Sequence, residues 1–312
     1  SLSASFNIGF NKNRVEKFKN GESNYKTYSS KWNGNSAAPF DDYIIREGEA
    51  VGQMYGYITG GMYTFDDFDY IGTGTYPYRL KGDTDGSKTE AAASLIGAKY
   101  FGPGSLKLVD KDGNIATSTD AKTVIGNANP DLIGGFNLTA RYKGFDLSAF
   151  FNFSIGNDVY NANKIDNSCY SGSRKYNNLV EEMKNRFTYI DPATGYLAYN
   201  DPVRLAEINK NATIWSPYMT TAVLHSWAVE DGSFLRFNNL TLGYTFPKRW
   251  VKKLGLTNLR IYGTVYNVCV ITGYSGFDPE VSTRNSTAMT PGVDYSAYPK
   301  SRSFIGGVNV SF

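Results

Sequence analysis

An all-β chain forming part of the wall of an antiparallel membrane barrel is the fold this sequence predicts. Three observations carry the prediction. Six segments of the 312 residues alternate apolar with small polar residues, and side chains alternate across a strand, so each segment has one greasy and one polar face. The links between the segments are by turns short and very long. Aromatic residues reach 15%, with 24 Tyr and 19 Phe, an excess that suits strand pairing, girdles at membrane interfaces and sugar stacking alike.

The first segment, "SLSASFNIGF", puts Leu2, Ala4, Phe6, Ile8 and Phe10 opposite Ser3, Ser5, Asn7 and Gly9. "GFNLTARY" sets Phe136, Leu138, Ala140 and Tyr142 against Asn137, Thr139 and Arg141. After Lys143 and Gly144, "FDLSAFFNF" sets Phe145, Leu147, Ala149, Phe151 and Phe153 against Asp146, Ser148 and Asn152. Two strands flanking two such residues read as a hairpin. "FNNLTLGYTF" and "NLRIYGTVYN" repeat the pattern, with Leu240, Leu242, Tyr244, Phe246, Leu259, Ile261 and Val265 on the apolar faces. The closing "SRSFIGGVNVSF" aligns Phe304, Val308, Val310 and Phe312, so Val308 and Val310 are expected to face lipid and Asn309 and Ser311 the lumen.

Residues 142 and 145, and 246 and 258, are joined by short links; 10 to 134, 153 to 234 and 271 to 302 by long ones. Long structureless links are unusual in a compact soluble domain. Outer-membrane barrels have short periplasmic turns and long outer loops, and six strands running alternately up and down would end Phe312 in the periplasm. Arg141, Asp146, Asn152, Arg260 and Asn309 share the polar faces, which therefore look onto water in a lumen or plug. The competing reading is a secreted, soluble glycan-binding β-sandwich whose polar faces meet bulk water.

The bulk numbers narrow the function classes. Net charge is +3 without a dominant basic run, so nucleic acid is not an expected partner. Two cysteines, Cys169 and Cys269, make no redox or zinc motif; both fall toward the outer side, where a disulfide could form. No apolar run is long enough for a transmembrane helix, which leaves a barrel open. The first residues are already strand-like, so the chain reads as cut from something longer. Catalysis has little support: His225 is the only histidine, nucleophile-elbow and zincin motifs are missing, and the neighbouring pairs Glu47/Glu49 and Glu181/Glu182 do not straddle a bond as a glycosidase couple must.

The long links carry the remaining candidates. Asp110, Asp112 and Asn114 in "DKDGNI" have the one-three-five spacing of a calcium loop, but Ile115 and Ala121 stand where its glycine and acid belong; an acidic turn is the alternative. No other cofactor is indicated. Asn137, Asn239 and Asn309 begin glycosylation triplets inside predicted strands, which argues against that use. Loop aromatics, foremost Tyr160, Tyr170, Tyr176, Trp215, Tyr218 and Trp227, are candidate substrate-stacking rings, with loop-core packing as their other use. "NNLVEEMKNRF" spaces Leu179, Met183 and Phe187 as one face of a short helix, and "PKRWVKKLG" reads as a helical turn begun by Pro247 and closed by Gly255. "VGQMYGYITGGMY" suggests a strand within the first outer link.

Several phrases, taken as a set, resemble one family: "NIGFNKNRV", "EGEAVGQMYGYITGGMY", "VIGNANPDLIGGFNLTARYKGFDLSAFFNFSIGNDVYN", "VEDGSFLRFNNLTLGYTFP", "LRIYGTVYNV", "YSGFDPEVS" and "GVDYSAYPKSRSFIGGVNVSF". They are similar, in order from about Ser5 to Phe312, to the SusC/RagA-type TonB-dependent transporters of Bacteroidetes. The resemblance implies a barrel of about 22 strands around an N-terminal plug, with residues 1–312 as its C-terminal six strands and the plug and TonB box outside this chain. It also implies an importer of oligosaccharides or peptides, energised by TonB through the plug and partnered by a SusD-like surface lipoprotein. Phe312, with Val310, Val308 and Phe304 before it, resembles the terminal signal read by the barrel-assembly machinery; Gly306 departs from an ideal apolar position.

Overall fold

The computed structural model describes residues 1–19, 23–32, 41–170, 178–283 and 287–312. Its largest sheet has six strands: β1 (Leu2–Gly9), β2 (Leu132–Tyr142), β3 (Phe145–Ile155), β4 (Phe234–Thr245), β5 (Asn258–Thr272) and β6 (Ser303–Ser311). Each pairs antiparallel with the next in chain order. β2 and β3 are joined by the 143–144 turn, where Lys143 has φ 48° and Gly144 φ 91°, the two left-handed residues of a type I′ hairpin. A Cβ on Gly144 would stand 2.7 Å from the Thr245 carbonyl oxygen, so only glycine fits.

Register sorts the side chains into two faces. One row runs Leu138, Ala149, Leu240, Val265, Phe304, and another Tyr142, Phe145, Tyr244, Ile261, Val308. A third joins Phe6, Phe136, Phe151 and Phe237, and the last three rings stack nearly parallel at 4.4 and 4.3 Å. The two aromatic rows lie six residues apart along β2, about 20 Å of strand. That is close to the apolar band of an outer-membrane barrel with its flanking girdles. Phe6, Leu242, Ile261 and Val308 on this face are 64, 53, 44 and 61% exposed. Among the described residues no second sheet pairs with or extends this one, and an uncovered apolar wall of this size belongs against lipid rather than water. The β-sandwich alternative fails on that point.

A bulge interrupts the wall. Phe150 pairs with Asn239 but Phe151 with Phe237, leaving Asn238 unpaired. The extra residue reverses parity in β4, so Phe237 and Leu235 lie on the apolar face, while Arg236 and Phe234 turn to the polar one. On β5 the matching irregularity places Asn267 at φ 51°, a conformation Asn tolerates.

The hydrophobic core is not in the wall. Among the described residues only Ala149 and Phe234 are buried apolar residues of wall strands, whereas Trp32, Tyr43, Met54, Tyr57, Phe101, Met183 and Tyr189 in the long links are fully buried. The long links thus form a folded lobe. It contains a four-stranded sheet (Tyr25–Tyr28, Tyr43–Arg46, Gln53–Gly56, Thr123–Asn127), a ribbon of Ile58–Met62 with Leu106–Val109, and a small sheet that joins Asp158–Asn161 to Val229–Asp231 and Val293–Asp294. Helices α1 (Ser87–Ile96), α2 (Ala162–Asp166) and α3 (Pro202–Ile208) complete it, while α4 (Lys248–Val251) lies at the opposite, short-turn end. The strand expected in "VGQMYGYITGGMY" is two strands broken at Tyr57. The helix expected around Met183 is only a 3-10 turn, Glu181–Asn185, because Met183 alone within it is buried. The turn expected after Pro247 is present and closes on Gly255 at φ 75°.

Candidate functional site

The polar face of the wall carries two built ion-pair systems. Near the short turns, Arg260 donates from Nε and Nη2 to Asp146 Oδ1 and Oδ2 at 2.9 and 2.5 Å. Arg260 stands on β5 and Asp146 on β3, so the pair reaches over β4. Gly243 lies beneath it: a Cβ there would meet Asp146 Oδ1 at 2.7 Å and also strike the Arg260 guanidinium. Toward the lobe, Arg236 is 2% exposed and gives Nη2 to Asp278 Oδ1 at 2.5 Å and Nη1 to Asn267 Oδ1 at 2.9 Å. Its Nε lies 3.3 Å from Glu280 Oε2, which Lys300 also holds at 2.5 Å. Arg236 thereby pins the link after β5 back over the polar face. Between that link and the wall lies a concavity of about 780 Å³, lined on one part by Asn7, Asn152, Ser154, Asn157, Glu280 and Ser282 and on the other by apolar residues that include Ile8, Ile133, Phe153, Phe234, Pro279 and Val281.

The nominated aromatics divide. Tyr160 and Trp215 are buried in the lobe core; Tyr160 Oη accepts from Trp32 Nε1 at 2.7 Å, so both serve packing and present no face to a ligand. Trp227 is half-buried and already engaged, by Lys164 Nζ at 4.2 Å from its ring, by the parallel His225 ring at 5.9 Å and by Trp215 edge-on at 5.0 Å. Tyr170 is 41% exposed and meets the half-buried Tyr218 edge-on at 5.5 Å, which in turn meets Tyr100 at 5.8 Å. These rings keep open surface. Tyr176 lies outside the described residues.

The other candidates are placed as follows. Asp110 Oδ1 accepts the backbone N–H groups of Asp112 and Asn114 at 2.8 and 2.9 Å, and Oδ2 the Asn114 amide at 3.0 Å. The trio closes an acidic turn, and those hydrogen bonds hold the Asp110 carboxyl below its usual range. Among the described residues no three His, Cys, Asp or Glu side chains gather as a metal site. Cys169 is buried in the lobe and Cys269 exposed on β5, and the disulfide considered from sequence does not join them. His225 is buried with Nδ1 2.8 Å from Thr59 Oγ1, and burial pushes its pKa down to about 3. Phe304, Val308, Val310 and Phe312 are all exposed along β6 and the residue after it.

Sequence reasoning missed Arg236 and its acids. The signal was present, since Arg236 and the "FDPE" run stand alone as charges beside strands, but the Asn238 bulge had to be known before Arg236 could be put on the polar face.

A sheet with an apolar face between two aromatic rows, a charged inner face and a water-soluble lobe at one end defines a wall segment of an outer-membrane β-barrel. The comparisons with known proteins specify which kind. The chain is 31% identical over 319 residues to the TonB-dependent receptor P3 of Formosa agariphila, covering 99% of this chain and 26% of that protein. It is 28% identical over 211 residues to the TonB-dependent receptor SusC of Bacteroides thetaiotaomicron, covering 65% of this chain and 17% of SusC. The fold matches the solved structure of the RagAB peptide transporter with TM-score 0.67 at 20% identity, over 100% of this chain and 27% of that one. The match to the RagAB importer in its "closed-closed" state has TM-score 0.62. No family model matches the chain. Over nearly its whole length the chain is thus similar to TonB-dependent receptors of the SusC/RagA type, and it spans about a quarter of the length of the curated relatives it matches, P3 and a second Formosa agariphila TonB-dependent receptor, P39.

Proposed function

We propose that this chain contributes wall and outer lobe to an active importer that takes oligosaccharides or peptides across the outer membrane. The carrying observation is the junction of a lipid-facing wall with a packed outer lobe, where Arg236 folds the 278–282 link over a concavity that sets three amides and two hydroxyls among apolar side chains. Such a mixed lining suits the neutral polar backbone and apolar faces of either substrate, and the open Tyr170–Tyr218 edge elsewhere on the lobe offers further ring surface. The proposal includes capture with a SusD-like lipoprotein and energy from TonB through a plug outside this chain; the likeness to the TonB-dependent receptor SusC supports it. Phe312 and the alternation before it would serve as the barrel-assembly signal. The test is accumulation of labelled oligosaccharide or peptide by cells carrying the full-length transporter, with and without an uncoupler of the proton gradient. Uncoupler-sensitive accumulation of one class is expected; no accumulation of either overturns the reading. Replacing Tyr170 and Tyr218 by Ala should weaken binding by about 0.5–1.5 kcal/mol per stacked ring.

A further inference from the structure

The short-turn end of the wall holds a charged feature that the import reading does not use. Residues 247–255, "PKRWVKKLG", form α4 and the 3-10 turn after it, started by the Trp250 N–H on the Pro247 carbonyl at 2.9 Å and ended by left-handed Gly255. Val251 is buried and fixes the turn to the wall. Lys248, Arg249, Lys252 and Lys253 are exposed, residues 247–257 contain no acid, and among the described residues none of the four cations has an ion pair.

The turn leaves the wall on its apolar side. Trp250, half exposed, meets Phe246 at 6.5 Å, Phe246 meets Tyr244 at 5.1 Å, and Tyr244 meets Phe145 at 4.6 Å. This string of rings continues the aromatic row into the turn. Leu254 beside it is 70% exposed. Four unneutralised cations next to an exposed Trp and Leu, at the edge of a lipid-facing wall, make the pattern of an interfacial lipid contact: apolar groups enter the acyl boundary and cations meet phosphate.

We propose that the 247–255 turn docks the phosphate-bearing headgroups of anionic glycerophospholipids in the periplasmic leaflet. The choice of leaflet rests on the topology in which the short links are periplasmic. A cation beside an anionic membrane surface is worth about fivefold in affinity, the equivalent of about 1 kcal/mol. Removing two should therefore cost roughly 25-fold.

The experiment is native mass spectrometry of the full-length transporter in detergent, titrated with phosphatidylglycerol or with phosphatidylethanolamine of the same chains. Wild type should retain phosphatidylglycerol preferentially, K252Q/K253Q should lose that preference, and K252R/K253R should keep it. Both lysines are exposed, so the variants should show unchanged heat-modifiable migration. Equal retention of the two lipids by wild type, or undiminished phosphatidylglycerol binding by K252Q/K253Q, overturns the proposal. Leaflet is tested separately with Leu254→Cys in a background from which the native cysteines, Cys169 and Cys269 included, have been removed, using a membrane-impermeant maleimide. Labelling only after cell lysis supports the periplasmic assignment; labelling on intact cells overturns it, with the lipid preference read independently.

Discussion

Placing an arginine at successive positions of β5 reads out both face and depth of the wall. Val265 sits in the central row, Ile261 four residues nearer the short turns in the row with Tyr142, Phe145 and Tyr244, and Tyr266 on the polar face. Lipid-facing Arg costs about 2–4 kcal/mol at the bilayer midplane and about 0–1 near the interface. Val265→Arg should therefore cost about 2–4 kcal/mol and Ile261→Arg about 0–1. Tyr266→Arg has a wet exit through the concavity it shares with Asn238, Asn239 and Lys300, so it should cost less than Val265→Arg. The register also puts Val308 in the end row with Ile261, so Val308→Arg should likewise cost only about 0–1 kcal/mol. The assay is denaturant unfolding of the full-length transporter in lipid vesicles, followed by heat-modifiable migration. Equal costs at Val265 and Tyr266 would refute the lipid-facing assignment. A larger cost at Tyr266 would mean the faces are reversed, and equal costs at Val265 and Ile261 would refute the depth order.

Arg236→Met should strand the buried Asp278 carboxylate and cost about 3–5 kcal/mol, freeing the 278–282 link to limited proteolysis; adding Asp278→Asn should recover part of the loss, and unchanged cleavage would dismiss the latch. Gly243→Val should force Arg260 and Asp146 apart, destabilising the wall more than Gly306→Val, where a Cβ meets nothing within 4 Å. His225 titrates near 6.5 when unfolded and about 3 when folded, so its contribution is full above pH 6.5 and falls with acid at up to about 1.4 kcal/mol per pH unit. Asp42, raised by burial from 3.8 to about 6, runs oppositely: its contribution is full below pH 3.8 and lost as pH rises through 6. His225→Gln should accordingly leave a lobe that gains stability between pH 6 and 4, read by tryptophan fluorescence; continued acid loss would assign it elsewhere. Alkylation of the native protein should reach Cys169 only after unfolding, while Cys269, level with Phe237 on the lipid-facing side, should react faster with a membrane-permeant maleimide than with an impermeant one.

The wall was legible because period-two alternation is a local property of the chain, and six runs carry it. What alternation could not reach lies beyond Asn238: a single inserted residue reverses parity, and nothing in "LRFNNL" marks which Asn is unpaired. The lobe was not legible in the same way. Tyr160 and Tyr170 are equally plausible ligand rings in sequence, and only the partners brought from elsewhere, Trp32 for one and Tyr218 for the other, decide which is covered. Lys164 over Trp227 is likewise a contact across 63 residues. The Arg236 system joins residues 31 to 64 positions apart, with no repeat or spacing to announce it.

The burial of the lobe has a consequence for when it comes into being. Its core takes Trp32 and Tyr57 from the first long link, Tyr160, Tyr189 and Trp215 from the second, and Val293 from the third. No one of these segments encloses the others' rings, and contacts so distant in sequence form slowly. Three separate crossings of the membrane must each deliver their segment to the outer surface before the aromatic interior can close. The lobe is therefore a late assembly product: a barrel missing one hairpin would expose unsheltered Tyr and Trp to proteases outside the cell, so the closed lobe would certify, at the surface, that the wall beneath it is complete.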